Sequence, residues 1–175
     1  MARTTTGRQG PDLLGIYLND HLAGATGGVG LARRMAAAAD PGSEFARALS
    51  TLAAEFTQDR LALIEIMGAL GIPVRGYKVL AGWAGEKAGR AKPNGHLLTR
   101  SPLSALEETE LLRLGVEGKA AGWRSLRVLA ERDSRLDADR LDDLIERAKR
   151  QSDTLETLRV GIAERVLATP AGGTA

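Results

Sequence analysis

The sequence contains no cysteine, and aromatic residues make up only 3% of its 175 residues. The absence of cysteine excludes disulfide bonds and thiolate metal sites, and it is typical of proteins from a reducing compartment. Strands favour β-branched and aromatic residues, whereas this chain is dominated by Ala and Leu, which favour helices. Composition therefore predicts an all-α protein.

The chain also lacks a long apolar run. No stretch approaches the roughly 18 consecutive apolar residues of a membrane-spanning helix, and residues 1–9 lack the apolar core of a signal peptide. Acidic and basic residues nearly cancel to a formal net charge of +2, which indicates no particular partner. We therefore expect a cytoplasmic protein that does not associate with membranes.

Three segments place apolar residues at alternating steps of three and four, the spacing of a helix packed along one face. Each apolar seam is interrupted by one strongly polar residue. These residues are His21, Asp59 and Gln151. The seams run from Leu14 to Ala39, from Phe45 to Leu70, and from Leu141 to Ile162.

A further helix, over roughly Pro102 to Glu131, carries two competing seams, so both of its faces are candidates for burial. The first seam is Leu111, Leu114, Gly118, Ala121, Ser125 and Val128. The second seam is Leu112, Val116, Lys119, Trp123, Leu126 and Ala130.

Capping signals set the expected helix boundaries. Asp40 and Pro41 offer an N-cap and a first-turn proline to the second helix. Gly71 ends that helix. Ser134 and Asp137 have capping-box spacing at the start of the last helix. The chain then reads as one domain over residues 11–169, with a crossover over 71–101 that carries a short amphipathic helix, and with tails at 1–10 and 170–175.

Two long antiparallel helical hairpins joined by a crossover resemble the ferritin-like four-helix bundle. In that superfamily, the resemblance would imply a di-iron site built from carboxylates and Glu-x-x-His pairs. Here neither His21 nor His96 follows a glutamate at that spacing, because Leu18 and Pro93 occupy those positions. The resemblance therefore implies the bundle and argues against di-iron chemistry. Stretches 114–119, 89–95 and 100–103 are also similar to uncharacterised bacterial helical proteins.

Counting residues from the turns that join the helices places the polar residues of the seams at similar levels, near the middle of the bundle. We predict a buried polar layer of His21, Asp59, Glu55, Glu117 and Gln151, with Lys119 as an alternative to Glu117. One interpretation is a hydrogen-bond network that fixes helix register. The others are a mononuclear or degenerate site for zinc, iron or manganese, a small-molecule pocket beside His21, and acid–base catalysis by His21 oriented by Asp59.

The crossover carries the most uneven charge in the chain. Its candidate anion- or partner-binding residues are Lys78, Lys87, Arg90, Lys92, Arg100 and Trp83. The alternative is that Tyr77, Leu80 and Trp83 pack this segment onto the bundle while its charges stay solvated. Nucleic acid is not favoured as a partner, and no phosphate-binding Walker loop is present.

The sequence thus favours a non-catalytic, cytoplasmic binding or protein-interaction module, with an unidentified protein or a second copy of the chain as partner. No catalytic residue and no cofactor is assigned. The alternative function is that of a metal-binding protein or metalloenzyme with a reduced site in the bundle centre.

Overall fold

The computed structural model describes residues 12–76 and 102–168. These residues form four helices, α1 (Leu13–Ala38), α2 (Glu44–Ala69), α3 (Pro102–Ala130) and α4 (Ala138–Leu167). No strand occurs in these two ranges. The prediction of an all-α protein with four long helices is confirmed. The predicted crossover helix lies outside the described residues.

Local side chains cap three of the helices, because the first amides of a helix have no partner within it. Asp12 accepts a hydrogen bond from the Gly15 amide at 2.8 Å. Ser43, rather than the expected Asp40, caps α2. Asp137 caps α4, as the capping-box spacing indicated. At the end of α2, Gly71 adopts a left-handed conformation with φ of +72° that suits glycine.

The four helices pack as a bundle in which each pair joined by a short turn is in close contact. Helix α1 packs along α2 and α3 packs along α4, while the two pairs meet through α1 with α3 and α2 with α4. Apart from a few polar side chains and the rings of Phe56 and Trp123, the interior is aliphatic, which fits the scarcity of aromatics. Its largest fully buried apolar side chains are Leu18, Leu22, Met35, Leu49, Met67, Leu126, Leu141 and Leu155.

Contacts between α2 and α4 are largely polar. Arg140 pairs with Glu65 at one level, and Arg147 pairs with Asp59 about two turns further along α4. A cavity of about 470 Å³ lies on the same side, lined by Gln58 and Ala62 of α2 and by mostly charged side chains of α4. Side-chain pairing therefore holds α2 to α4 where aliphatic packing is sparse.

Helix α3 buries only one of its two candidate seams. Val116, Trp123 and Leu126 of the second seam are each at most 3% exposed. Leu111 and Leu114 of the first seam are 60% and 68% exposed. The choice follows from neighbours, since the second seam faces the interior shared with α1, α2 and α4.

Asn19 fastens the chain after α2 to α1. Its side chain is completely buried, its amide donates to the Pro73 carbonyl at 3.1 Å, and its carbonyl accepts from the Arg75 amide at 2.7 Å. The connection to α3 therefore begins against the N-terminal part of α1.

Within the described ranges, none of the helices is both long and apolar enough to cross a membrane. The cytoplasmic location and the single-domain boundaries stay predictions.

Candidate functional site

A cluster of five polar side chains links three helices in the centre of the bundle. This central polar cluster comprises Glu55 and Asp59 of α2, Lys119 of α3, and Arg147 and Gln151 of α4. Asp59 is 2% exposed and accepts hydrogen bonds from three side chains of the cluster. Those donors are Lys119 at 2.5 Å, Arg147, and the Gln151 amide at 3.1 Å.

Gln151 completes the cluster. Its amide also donates to Glu55 at 2.9 Å, and its carbonyl accepts from the Lys119 ammonium at 2.5 Å. Both ends of this 1%-exposed side chain are thereby satisfied, as a buried amide requires. Two carboxylates face two cations, so the cluster is neutral as a whole.

Burial strongly affects Lys119, whose ammonium also lies 4.5 Å from the centre of the Phe56 ring. Loss of solvent lowers the pKa of Lys119 below its ordinary value, although Asp59 favours the charged form and offsets part of this effect. Its hydrogen-bonding capacity is directed at Asp59 and Gln151.

The structure brings together three of the five predicted layer residues, namely Glu55, Asp59 and Gln151. The other two lie elsewhere. Glu117 points outward and accepts from the Ser152 hydroxyl at 2.7 Å. The His21 ring packs edge-on against Tyr17, with ring centres 4.4 Å apart, and lies against the backbone of α3.

Carboxylate and imidazole groups do not converge into a metal site in the described part of the chain, where no set of three or more could hold an ion. Asp59 is surrounded by cations, which would oppose a bound metal. The reduced metal site stays a prediction without support from this geometry.

A cavity of about 660 Å³ opens between α1 and α3. Its floor includes Phe56, Asp59 and Leu63 of α2, and its lining is mainly apolar. Both its size and its location between helices of a bundle are typical of small-molecule sites. The central polar cluster touches the cavity through Asp59 and Lys119.

Six glycines line this cavity. They are Gly24, Gly27, Gly28, Gly115, Gly118 and Gly122. Each helical glycine costs about 1 kcal/mol relative to alanine, and close helix contact is the usual compensation. A Cβ atom placed on Gly24, Gly28, Gly115 or Gly118 would nevertheless meet nothing within 4 Å. Their cost is therefore not explained by packing among the described residues.

Gly122 differs from these four, since it makes room for His21. A Cβ atom on Gly122 would lie 3.0 Å from Cε1 of the histidine ring. Close approach of the ring to α3 depends on this glycine. Beside the same contact, the Tyr17 hydroxyl lies 3.2 Å from the Ser125 hydroxyl.

Two polar groups accompany the apolar lining. Desolvation lowers the pKa of His21 below its ordinary 6.5, with a smaller opposing effect of Asp20, so burial favours the neutral ring. The indole Nε1–H of Trp123 is buried without a hydrogen-bond acceptor in the described structure. A buried donor without a partner is uncommon in proteins, and this one belongs to a side chain that lines the cavity.

The six residues predicted for anion or partner binding, which lie between Lys78 and Arg100, fall outside the described residues. Sequence reasoning missed Asn19 and Arg147, and it placed Lys119 only as an alternative. Arg147 lies beside the apolar seam of α4 rather than within it, so its position in the sequence does not indicate that it pairs with a buried residue.

Comparisons with protein families, curated proteins and solved structures found no match.

Proposed function

We propose that this protein binds a neutral, mostly apolar small molecule in the cavity between α1 and α3. The observation that supports the proposal is a cavity of about 660 Å³ whose helical walls carry glycines facing open space. A ligand in van der Waals contact with those glycines would supply the contacts that the described chain does not. This is a non-catalytic binding function, the class that the sequence favoured.

The chemistry of the lining supports a neutral ligand. Lys119 is already paired with Asp59 and Gln151, and breaking these contacts to bind an anion would leave Asp59 buried with less compensation. Neutral His21 offers one donor and one acceptor, while Trp123 offers one donor. A largely apolar molecule with one or two polar atoms suits this combination.

Dye binding tests the proposal. Nile red, a neutral apolar dye whose fluorescence rises in apolar surroundings, should bind the full chain saturably. Gly24→Leu combined with Gly28→Leu should place two side chains in the cavity. We expect this variant to bind the dye at least about tenfold more weakly, which corresponds to about 1.4 kcal/mol.

Gly68→Leu is the matched control, because Gly68 lies in α2 with open space around its Cβ position and does not line the cavity. It should bind the dye like the wild type. Leu114→Lys removes an exposed apolar side chain outside the cavity and should also leave binding intact. Equal dye affinity in the filled variant and the wild type would contradict the proposal.

We also infer a ferritin-like arrangement of two antiparallel hairpins. Arg140, early in α4, contacts Glu65, late in α2, whereas Gln151, further along α4, contacts Glu55, earlier in α2. The two helices therefore run in opposite directions. Contacts of α1 with α3 include Tyr17 with Ser125 and His21 with Gly122, close to the start of α1 and the end of α3. Such an arrangement makes α2 and α3 parallel, so residues 77–101 would connect opposite ends of the bundle.

A further inference from the structure

Helix α3 exposes a complete coiled-coil seam, which borders the cavity at Leu111 and Gly118 and contacts Tyr17 of α1 through Ser125. The outer seam of α3 comprises Leu111, Leu114, Gly118, Ala121, Ser125 and Val128. These six residues follow one another at steps of three and four, so they repeat every seven residues like the core positions of a coiled coil. Leu111, Leu114 and Val128 are 60%, 68% and 65% exposed. The seam is about 26 Å long at 1.5 Å per residue.

The distribution of side-chain size along this seam is suited to a crossing with another helix. Large residues stand at both ends, and Gly118 and Ala121 stand at the centre. Two straight helices that cross approach most closely at the crossing point, where small side chains allow backbone contact. A Cβ atom on Gly118 would meet nothing within 4 Å.

We propose that the outer seam of α3 is a dimer interface, in which α3 of a second copy crosses it in the antiparallel direction about a two-fold axis between Gly118 and Ala121. This axis places Leu111 against Val128 of the second copy, and Gly118 against its Ala121. The same patch serves both subunits, as a two-fold interface requires.

Charge supports the antiparallel direction. Glu117 and Arg124 flank the seam on the same side, and both are exposed. The two-fold axis brings each Glu117 beside Arg124 of the second copy, which gives two opposite-charge contacts. A parallel pairing would leave both charges without this complement. The hydrogen bond that the buried Ser152 hydroxyl donates to Glu117 occupies only one of the two carboxylate oxygens.

Cysteine crosslinking tests this geometry directly, because the chain has no cysteine of its own. A mixture of Leu111→Cys and Val128→Cys proteins should yield a crosslinked heterodimer with a short thiol-reactive reagent, whereas either variant alone should yield little. Leu61→Cys is the matched control, since Leu61 is 50% exposed on α2 and lies outside the seam.

Sedimentation equilibrium supplies the second readout. Arg124→Glu should weaken dimerisation by about tenfold, because it replaces two favourable contacts with two like-charge contacts. Adding Glu117→Arg should restore the dimer, and this rescue distinguishes charge pairing from misfolding.

Three results would overturn the proposal. One is that the wild-type protein is a monomer at submillimolar concentration. This includes the outcome in which hydrogen exchange shows the seam protected in that monomer by residues 77–101 of the same chain. Another is a dimer that forms with unchanged affinity in Leu114→Lys. The third is efficient crosslinking of Leu111→Cys with itself, which would indicate a parallel pairing.

Discussion

The buried carboxylate of Asp59 is bonded to two cationic side chains, and those cations depend on its negative charge for compensation. Asp59→Asn would leave Lys119 and Arg147 with less than their compensating charge. Removing one partner of a buried ion pair costs about 3 to 5 kcal/mol of unfolding free energy. Urea denaturation of the full chain measures this loss.

The control for Asp59 is Glu65→Gln, which removes the exposed pair between Glu65 and Arg140. Both side chains are substantially exposed, so we expect a loss below about 1 kcal/mol. Similar losses in the two variants would contradict the role assigned to burial.

His21 predicts a dependence of stability on pH. Because burial lowers its pKa in the folded state, the unfolded chain binds the proton more readily, and acid favours unfolding. The contribution of neutral His21 is complete above pH 6.5 and declines as pH falls from 6.5 through the lower folded-state pKa. His21→Gln should remove this part of the pH dependence, as measured by urea denaturation across the range. His96→Gln should retain it.

Single residues also show what the sequence can reveal about a site. Asp59 and Gln151 were recognisable because each interrupts an otherwise apolar seam, and such an interruption is costly unless a partner exists. His21 interrupts a seam in the same way, yet it packs against an aromatic ring and a glycine. A seam position indicates burial but not which neighbour arrives, so the partners of Asp59 needed the structure.

Among the elements, α1 and α3 carry glycines that differ in their surroundings. Gly24→Ala and Gly115→Ala should each stabilise the ligand-free protein by about 0.5 to 1 kcal/mol, because the added methyl groups meet open space and helix propensity improves. Gly122→Ala should destabilise it, since the methyl group would crowd the His21 ring. Thermal unfolding of the three variants measures the contrast, and a stabilising Gly122→Ala would contradict the packing described.

Helix α3 marks the limit of periodicity as a guide. Its length and start were predictable from Pro102 and from the apolar spacing. Its orientation was not, because the two seams have similar apolar content. Lys119 and Trp123 settled on the inner face because Asp59 and Gln151 compensate the ammonium there and aliphatic neighbours surround the indole. Both reasons depend on other helices.

At the scale of the whole molecule, Asn19 controls where the connection after α2 begins. Asn19→Ala would remove the acceptor of the Arg75 amide and the donor to the Pro73 carbonyl. Each loss at a buried site costs about 1 to 3 kcal/mol. Hydrogen exchange should show a faster Arg75 amide, with little change at the amide of Val29, which is buried on the same helix. An unchanged Arg75 rate would contradict this attachment.

The bundle itself was predictable from four amphipathic segments, whereas the cavity was not. A cavity reflects the distance between helices, and that distance follows from the packing of every neighbour. The glycines of α1 suggested either close approach or room for a ligand, and the sequence offered no means of choosing.

The central polar cluster has a consequence for the connectivity of the chain. Glu55 and Asp59 belong to the helix pair of α1 and α2, while Lys119, Arg147 and Gln151 belong to the pair of α3 and α4. Sliding one helix pair by a single turn, about 5.4 Å, would separate these partners and bury their charges uncompensated. Alignment is therefore encoded in the helices rather than in the segment that joins them. We expect that a protein cleaved within residues 77–101 would keep its two fragments associated in the original register.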